Sequence, residues 1–337
     1  MLSTIIASII IFGLLIFVHE LGHYLAARRA GIKVLEFALG FGKELIVWKK
    51  GETRYTLRLF PLGGFCRLLG EDAEDQGREG NFQYKSIPSR FAVIVSGSLM
   101  NFALAILLFT MMYFFFLGVP QQHITRIGEV LPESRAQQAG LMQGDVILSV
   151  DNVIVQNWPE VVSRINANPE REILLQLKRN GEEHFIAVTP AEQEGRGLIG
   201  IAPVYEKFEP VPSLIWGFNH TWFFMRLIFV SLYQMITGVI PPDVAGPIGI
   251  VAVVGEVMQT GIGNLFSLAA IISINLGIIN LLPIPALDGS KLLFLALEGI
   301  RGKPIDPQKE GFIHFVGFAV LITLMIFISF HDIIRLL

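Results

Sequence analysis

Residues 2–27 form a long apolar run that carries three ionisable side chains, His19, Glu20 and His23, close together near its end. A helix crosses the hydrocarbon core with about 20 mostly apolar residues, so a run of this length reads as a membrane span. Hydrocarbon leaves no water to satisfy a backbone, which restricts what spans it here to helices and confines other structure to the interfaces or the protein interior. Residues 91–119, 265–282 and 312–330 repeat the pattern, and Pro283 and Pro285 predict a helix stop at the end of the third of these. Residues 2–27 have no basic segment ahead of them and no small-residue cleavage site, so they read as a retained helix rather than a signal peptide.

Composition agrees, with 52% apolar and 16% charged residues. A net charge of -3, with no basic run longer than a pair such as Arg28-Arg29 or Lys49-Lys50, excludes a nucleic-acid surface. The single cysteine, Cys66, excludes an internal disulfide and a thiolate metal site and reads as a small buried hydrophobe.

Cytoplasmic loops retain Lys and Arg, and residues 28–90 hold twelve of them. Residues 118–212 hold eight against thirteen acids and are expected on the outer side. Lys291, Arg301, Lys303 and Lys309 make the loop after residues 265–282 positive again, so that helix runs inward and both termini lie outside. Residues 214–240 are also long and apolar, but they contain Asn219, His220, Arg226 and Gln234. A central arginine costs about 2.5–3.5 kcal/mol on insertion scales, which favours a helix lying along the outer interface over a further span.

The first cytoplasmic loop alternates in short runs around Lys50-Gly51-Glu52, as β-hairpins do. Leu57 and Leu59 face one way and mark an edge able to pair with an extended peptide, while Gly63-Gly64 allows close backbone approach. On the outer side, Pro132-Glu133-Ser134, Ala139-Gly140-Leu141 and Gly144-Asp145, followed by strand and helix patterns, resemble a PDZ domain over about residues 121–205. Such a domain either takes a peptide as an added strand or acts as a steric plug. The expected fold is thus a polytopic α-helical membrane protein of about four transmembrane helices, with cytoplasmic-side re-entrant β-hairpins and one α+β PDZ domain outside. Its parts are residues 1–120, the first half of a membrane core; 121–205, the PDZ domain; and 206–337, the second half.

His19-Glu20-Leu21-Gly22-His23 is an H-E-x-x-H pattern, which on a helix sets two imidazoles on one face within reach of one ion. Zinc suits such ligands, and Glu20 is placed to exchange a proton with a water on the metal. Counted from Arg28 at the inner interface, His23 lies about 8 Å and His19 about 13 Å deep. A hydrolytic zinc site takes a third protein ligand, and Asp288 has a compatible depth. The alternative for Asp288 is a cap of the helix beginning near Lys291, and the ligand reading is preferred because no other carboxylate has the right depth. Glu256 and Asp243 fall on the outer side, and His314 and His331 read as ordinary polar residues of a helix bundle.

His19-Glu20-Leu21-Gly22-His23, Pro61-Leu62-Gly63-Gly64, Gly246-Pro247-Ile248-Gly249 and the run from Asn280 through Pro283 and Pro285 to Leu287-Asp288-Gly289 resemble the site-2 protease family of intramembrane zinc metalloproteases. With one PDZ domain the order is similar to the RseP-type regulator-of-sigma-E proteases, whose best known members carry two. In Val95 to Phe102, Ser98 stands where that family often has proline. The resemblance implies that His19, His23 and Asp288 hold Zn²⁺, that Glu20 is the catalytic base, that Asn280 lies near the substrate, that the hairpins form a re-entrant clamp, and that residues 214–240 form an amphipathic outer helix. It implies a zinc-dependent intramembrane endopeptidase of the bacterial inner (plasma) membrane, cleaving transmembrane segments of an anti-sigma factor or signal-peptide remnants near the cytoplasmic face. Its partners would be that substrate, the lipid bilayer and a peptide on the PDZ domain. A non-proteolytic metal-binding scaffold or a zinc transporter is the alternative.

Overall fold

The computed structural model describes residues 2–71, 79–241 and 245–336; Asp243 lies outside them. The chain opens with α1 (Leu2–Arg29), β1 (Val34–Lys50), β2 (Thr53–Leu68) and α2 (Ile87–Met111), whose last turns continue as a π-helix over Met112–Leu117. There follow β3 (Val119–Pro120), β4 (Ile127–Val130), α3 (Arg135–Gln138), β5 (Val146–Val150), β6 (Val153–Ile154) and α4 (Trp158–Asn166). Next come β7 (Ile173–Arg179), β8 (Glu182–Val188), β9 (Ala191–Gln193), β10 (Arg196–Leu198), β11 (Ile201–Pro203) and β12 (Tyr205–Glu206). Five helices complete the chain: α5 (Pro210–Ile236), α6 (Pro247–Thr260), α7 (Ile262–Leu281), α8 (Asp288–Arg301) and α9 (Pro307–Leu336). The structure divides into two units, Met1–Met112 with Leu214–Leu337, and Tyr113–Ser213.

Among the described residues, four helices are long and apolar enough to cross a membrane: α1, α2 with its π-turn, α7 and α9. The expected spans fall on these helices, and α5 is a single 27-residue helix outside that set. Their burial runs opposite to that of a soluble core. α1 buries only Ser8, Leu15, His19, Gly22 and Ala27 and exposes Leu2, Ile6, Ile10 and Leu14, a surface suited to lipid. Small residues line the contacts between helices, as expected where lipid removes the hydrophobic drive and close backbone approach supplies the attraction. A Cβ on Gly22 of α1 would strike the Ser96 carbonyl of α2, and one on Gly277 of α7 would press the Phe102 ring of α2. Ser273 of α7 donates to the Asn101 carbonyl at 2.8 Å, fastening the same pair.

α7 ends at Leu281 because Pro283 cannot donate to a continuing helix. Its successor α8 begins at Asp288, one turn before Lys291, and stops at Gly302, which takes the left-handed conformation (φ 67°) usual after a helix end.

The loop expected to form hairpins is one long ribbon folded back on itself. Residues 36–39 pair with 64–67 on one side and with 54–57 on the other, while 54–57 also pair with 46–49. Four short strands result, in the spatial order 64–68, 34–39, 53–57 and 46–50, joined at the far end by the Gly51-Glu52 turn. Gly40 (φ 93°), Gly42 (φ 83°) and Gly63 (φ 138°) permit the fold-back, since side chains rarely tolerate these angles. This corrects the edge expected at Leu57 and Leu59. Leu57 is paired with both Leu39 and Ile46 and is interior to the sheet, and Leu59 is an exposed residue between the Phe41–Phe60 and Glu44–Arg58 pairs. Strand alternation shows which residues share a face, but here glycine bends decide which strand ends at the edge. Among the described residues, no strand pairs with the outer side of 64–68.

In the unit Tyr113–Ser213, β5, β6, β7 and β8 form an antiparallel sheet in the order β6-β5-β7-β8, and β4 pairs with β11. α4 covers the core with Trp158, Val161 and Ile165 packed on Ile127, Ile147, Ile173, Leu175 and Leu177. Its start is fixed by Asn157, whose side chain accepts from the Glu160 N–H, while Glu160 reaches back to the Gln156 N–H.

Candidate metal centre

Three side chains from two helices converge on one point. α1 presents His19 and His23 one turn apart, with their Nε2 atoms 3.2 Å from each other. Asp288, the first residue of α8, places Oδ2 at 3.2 Å from the His19 Nε2 and 3.1 Å from the His23 Nε2. Four-coordinate zinc with bonds of about 2.0–2.1 Å holds its ligand atoms about 3.3 Å apart, close to this triangle. Asp288 is not the cap of its helix: Leu287 holds that position, with no side-chain capping bond. The buried Oδ2 has no hydrogen-bond partner, so a carboxylate oxygen and two imidazole nitrogens turn their lone pairs into one space. A cation fits that donor set.

Both rings are held from behind by α2. His23 donates from Nδ1 to the Val93 carbonyl at 2.9 Å, and His19 Nδ1 lies 3.2 Å from the amide of the fully buried Asn101. Gly97 stands between these two contacts and leaves room for the imidazoles; a Cβ there would run into the His23 ring and sit 2.8 Å from the His19 Cε1. Asn280 Nδ2 of α7 approaches His19 Nε2 at 3.5 Å, at the outer limit of a hydrogen bond.

A cavity of about 300 Å³ opens onto the triangle, lined by Glu20, residues 65–68, Glu71 and Lys291 as well as the three converging residues. Gly64 lies against α1, where a Cβ would sit 3.3 Å from the Glu20 Cγ, whereas Gly63 packs under the Phe41 ring. Leu57 lines a different cavity, an apolar one of about 370 Å³ bounded by Phe17, Leu21, Tyr24 and Trp48. The edge beside the metal centre is therefore 64–68. Burial pushes the Cys66 thiol above its usual pKa, so it stays protonated and takes no part as a thiolate. Lys291, one turn beyond Asp288, pairs with Glu71 at 2.7 Å, and this carboxylate holds the ammonium above its usual value against the opposing effect of burial.

The sequence pointed to His19, Glu20, His23, Asp288, Asn280 and Gly64, which the structure brings to this place; it passed over Asn101 and gave His314 only the part of an ordinary polar residue. Asn101 carried a signal, an amide in the middle of an apolar span. His314 carried none beyond its polarity. It accepts the Ala286 N–H at Nδ1 (3.1 Å), and Ala286 adopts φ 75° in the loop that delivers Asp288.

Two histidines one turn apart on an apolar helix, a carboxylate from a second element and a glutamate beside them make a cluster that could hold a metal ion, the donor set of a metallohydrolase. The chain belongs to peptidase family M50, whose profile matches residues 7–324. It is 36% identical to the zinc metalloprotease RasP of Geobacillus kaustophilus, with 98% of each chain covered. It is also 36% identical to the regulator of sigma-W protease RasP of Bacillus subtilis, over 99% of each chain. The PDZ domain of the SdrC-like protein from Listeria monocytogenes aligns with 24% of this chain and 88% of its own at 18% identity, with a TM-score of 0.23. A likeness this faint leaves the middle unit to its own topology.

Proposed function

We propose that the chain is a zinc-dependent intramembrane endopeptidase that cuts membrane-spanning segments of other membrane proteins, with His19, His23 and Asp288 as the metal ligands and Glu20 as the general base. The observation that carries this is the triangle of Nε2, Nε2 and Oδ2 with edges of 3.1–3.2 Å, next to Glu20, in a chain of peptidase family M50. When bound, zinc acts as a Lewis acid on the scissile carbonyl and lowers the pKa of water to about 7.

The protein's own groups do the rest. A substrate helix hides its carbonyls in hydrogen bonds and must open locally before attack. Strand 64–68 offers an edge along the cavity, so an opened segment could pair with it and recover its backbone bonds. Glu20 takes the proton from the attacking water and returns it to the leaving amine. Asn280 Nδ2 faces the centre from α7 and is placed to donate to the developing oxyanion.

The relative in Bacillus subtilis is named a regulator of a sigma factor, which supports an anti-sigma factor as the substrate class, with signal-peptide remnants as the second class. The Lys and Arg distribution supports a multi-pass protein of the bacterial plasma membrane with residues 113–213 outside and the centre toward the cytoplasmic face. For that middle unit, the antiparallel sheet covered by α4 supports a PDZ domain that either binds a peptide or excludes substrates with bulky outer domains. The proposed parts of the chain are 1–120, 121–205 and 206–337, the middle one lying within the compact unit Tyr113–Ser213.

The test uses purified protein in detergent with a single-span substrate. Wild type should cleave it, a chelator should abolish cleavage and added zinc should restore it, while Glu20→Gln keeps stoichiometric zinc and loses about 10²–10⁴-fold in rate. Chelator-resistant cleavage would remove the metal from the mechanism, and turnover by the Gln variant would remove Glu20.

A further inference from the structure

We infer that Asn101 is a positioning residue for the metal centre: its amide oxygen accepts the Nδ1 proton of His19 and so fixes both the tautomer and the tilt of that ring. The inference rests on the reading of His19 as a ligand.

A neutral imidazole has one N–H, and the His19 Nε2 is the nitrogen facing Asp288 and His23. With the Nε2 lone pair directed into the triangle, the proton sits on Nδ1, which becomes a donor. The group it meets at 3.2 Å is the Asn101 amide, drawn with Nδ2 toward the ring, so that two donors face each other. The Asn101 Oδ1 in that orientation is buried and has no partner. Oxygen and nitrogen of an amide are told apart only by the network around them. Rotating the amide by 180° turns the donor–donor contact into Nδ1–H···Oδ1, and one end of the amide is left without a partner in either orientation. An amide completely buried between apolar helices with half its capacity unused is costly, which makes its contact with the histidine the reason for its presence.

The second histidine shows the same arrangement in another form. His23 donates Nδ1–H to the Val93 carbonyl at 2.9 Å, which leaves its Nε2 for the triangle. Val93, Gly97 and Asn101 are spaced by four on α2 and are all buried, so one stripe of that helix supplies an acceptor for each ring and the gap between them. Partners of this kind raise the basicity of a ligand imidazole and hold its orientation, and their loss costs about 10–100-fold in metal affinity.

The experiment measures zinc affinity of the full-length apoprotein in detergent by competition with a chromophoric chelator, apart from any cleavage. Asn101→Leu, close in volume but without an acceptor, should bind zinc about 10–100-fold more weakly. Asn101→Asp, which keeps the acceptor, should stay within a few-fold of wild type. Ser273→Ala removes the other contact of the same residue, made by its backbone carbonyl, and should leave affinity unchanged. If the Leu variant does not fold, Asn101→Ser, too short to reach the ring, must show the same loss. Wild-type affinity in Asn101→Leu or Asn101→Ser, or an Asp variant as weak as these, overturns the inference while the site stands. A wild type that binds no zinc overturns both.

Discussion

Ala286 donates its backbone N–H to Nδ1 of His314 at 3.1 Å, and this bond ties α9 to the loop that delivers Asp288. The tie is tight from both sides: a Cβ on Gly317, one turn along α9, would press on Pro285, its backbone carbonyl carbon only 2.8 Å away. Ala286 holds φ 75°, which costs an L-residue roughly 1–2 kcal/mol and persists only where the surroundings impose it. Ala286→Gly should therefore keep cleavage and zinc content and raise stability by up to about 1 kcal/mol, read from thermal unfolding in detergent. His314→Leu should weaken zinc retention and slow cleavage by about tenfold or more, because a shift of about 1 Å at a reacting group is costly. Unchanged kinetics in the Leu variant would confine His314 to the bland role its polarity suggests.

Asp288→Asn keeps the shape of the third ligand and removes its charge. The expected outcome is weaker zinc binding by at least about 10-fold, measured by metal content after dialysis against a chelator, with the helix content of the protein retained. The Asn variant holding zinc as wild type does would return Asp288 to a structural role at the start of α8.

Gly97 and Gly13 give a matched pair. A Cβ at Gly97 meets both imidazoles, whereas one at Gly13, also in the middle of a membrane helix, meets nothing within 4 Å. Gly97→Ala should therefore lose most zinc and activity, and Gly13→Ala should change neither. Equal behaviour of the two would mean that α1 and α2 slide apart freely, and that the rings are not held by α2.

The sequence made the metal centre legible because its chemistry is local on one side and set by depth on the other. Four-residue spacing puts His19 and His23 on one face of any helix, and Asp288 follows the proline stop after α7, where the structure brings it beside them. Register within the ribbon was not legible. Leu57 and residues 64–68 both alternate, and only the turns at Gly40, Gly42 and Gly63 decide that Leu57 ends inside the sheet and 64–68 at its rim. The partners of Asn101 and His314 were illegible for a different reason. Each acts on a residue 82 or 28 positions away in the chain, and a partner at that distance is chosen by helix packing.

The corrected edge has its own consequence. If an unwound substrate pairs along 64–68, then Phe65→Ala should lower kcat/KM several-fold and shift the choice of scissile bond, because residue 65 borders the cavity with Glu20 and Asp288. Leu57→Ala opens a hole in the separate apolar cavity and should cost about 2–5 kcal/mol at most in stability without moving the cut site. Mapping the cleaved bond by mass spectrometry separates these outcomes, and a shift produced by Leu57→Ala instead would return the edge to where the alternation first placed it.

The middle unit has an acid-labile joint. Burial by itself would raise the Asp145 carboxyl, but Arg179 donates to both of its oxygens at 2.7 Å and the Met142 N–H adds a further bond at 2.9 Å, so its pKa lies below the usual carboxylate range. A carboxyl held lower in the folded than in the unfolded chain contributes stability that is full above the unfolded value of about 3.9 and disappears as pH falls through the folded value below it. Arg179→Leu leaves the carboxylate buried without its partner and should cost roughly 3–5 kcal/mol at pH 7. In that variant the Arg179 charge no longer opposes burial and the Met142 N–H alone remains, so the carboxyl pKa rises and acid neutralises it, and the gap between variant and wild type should close as pH drops below about 4. Hydrogen exchange at Ile147 and Leu177, corrected for the intrinsic effect of pH, reads this directly, since both are fully buried on the strands that carry the pair's neighbours. A gap that stays constant between pH 7 and pH 3 would mean that the Arg179 stem, and not its charge on Asp145, is what holds β5 and β7 together.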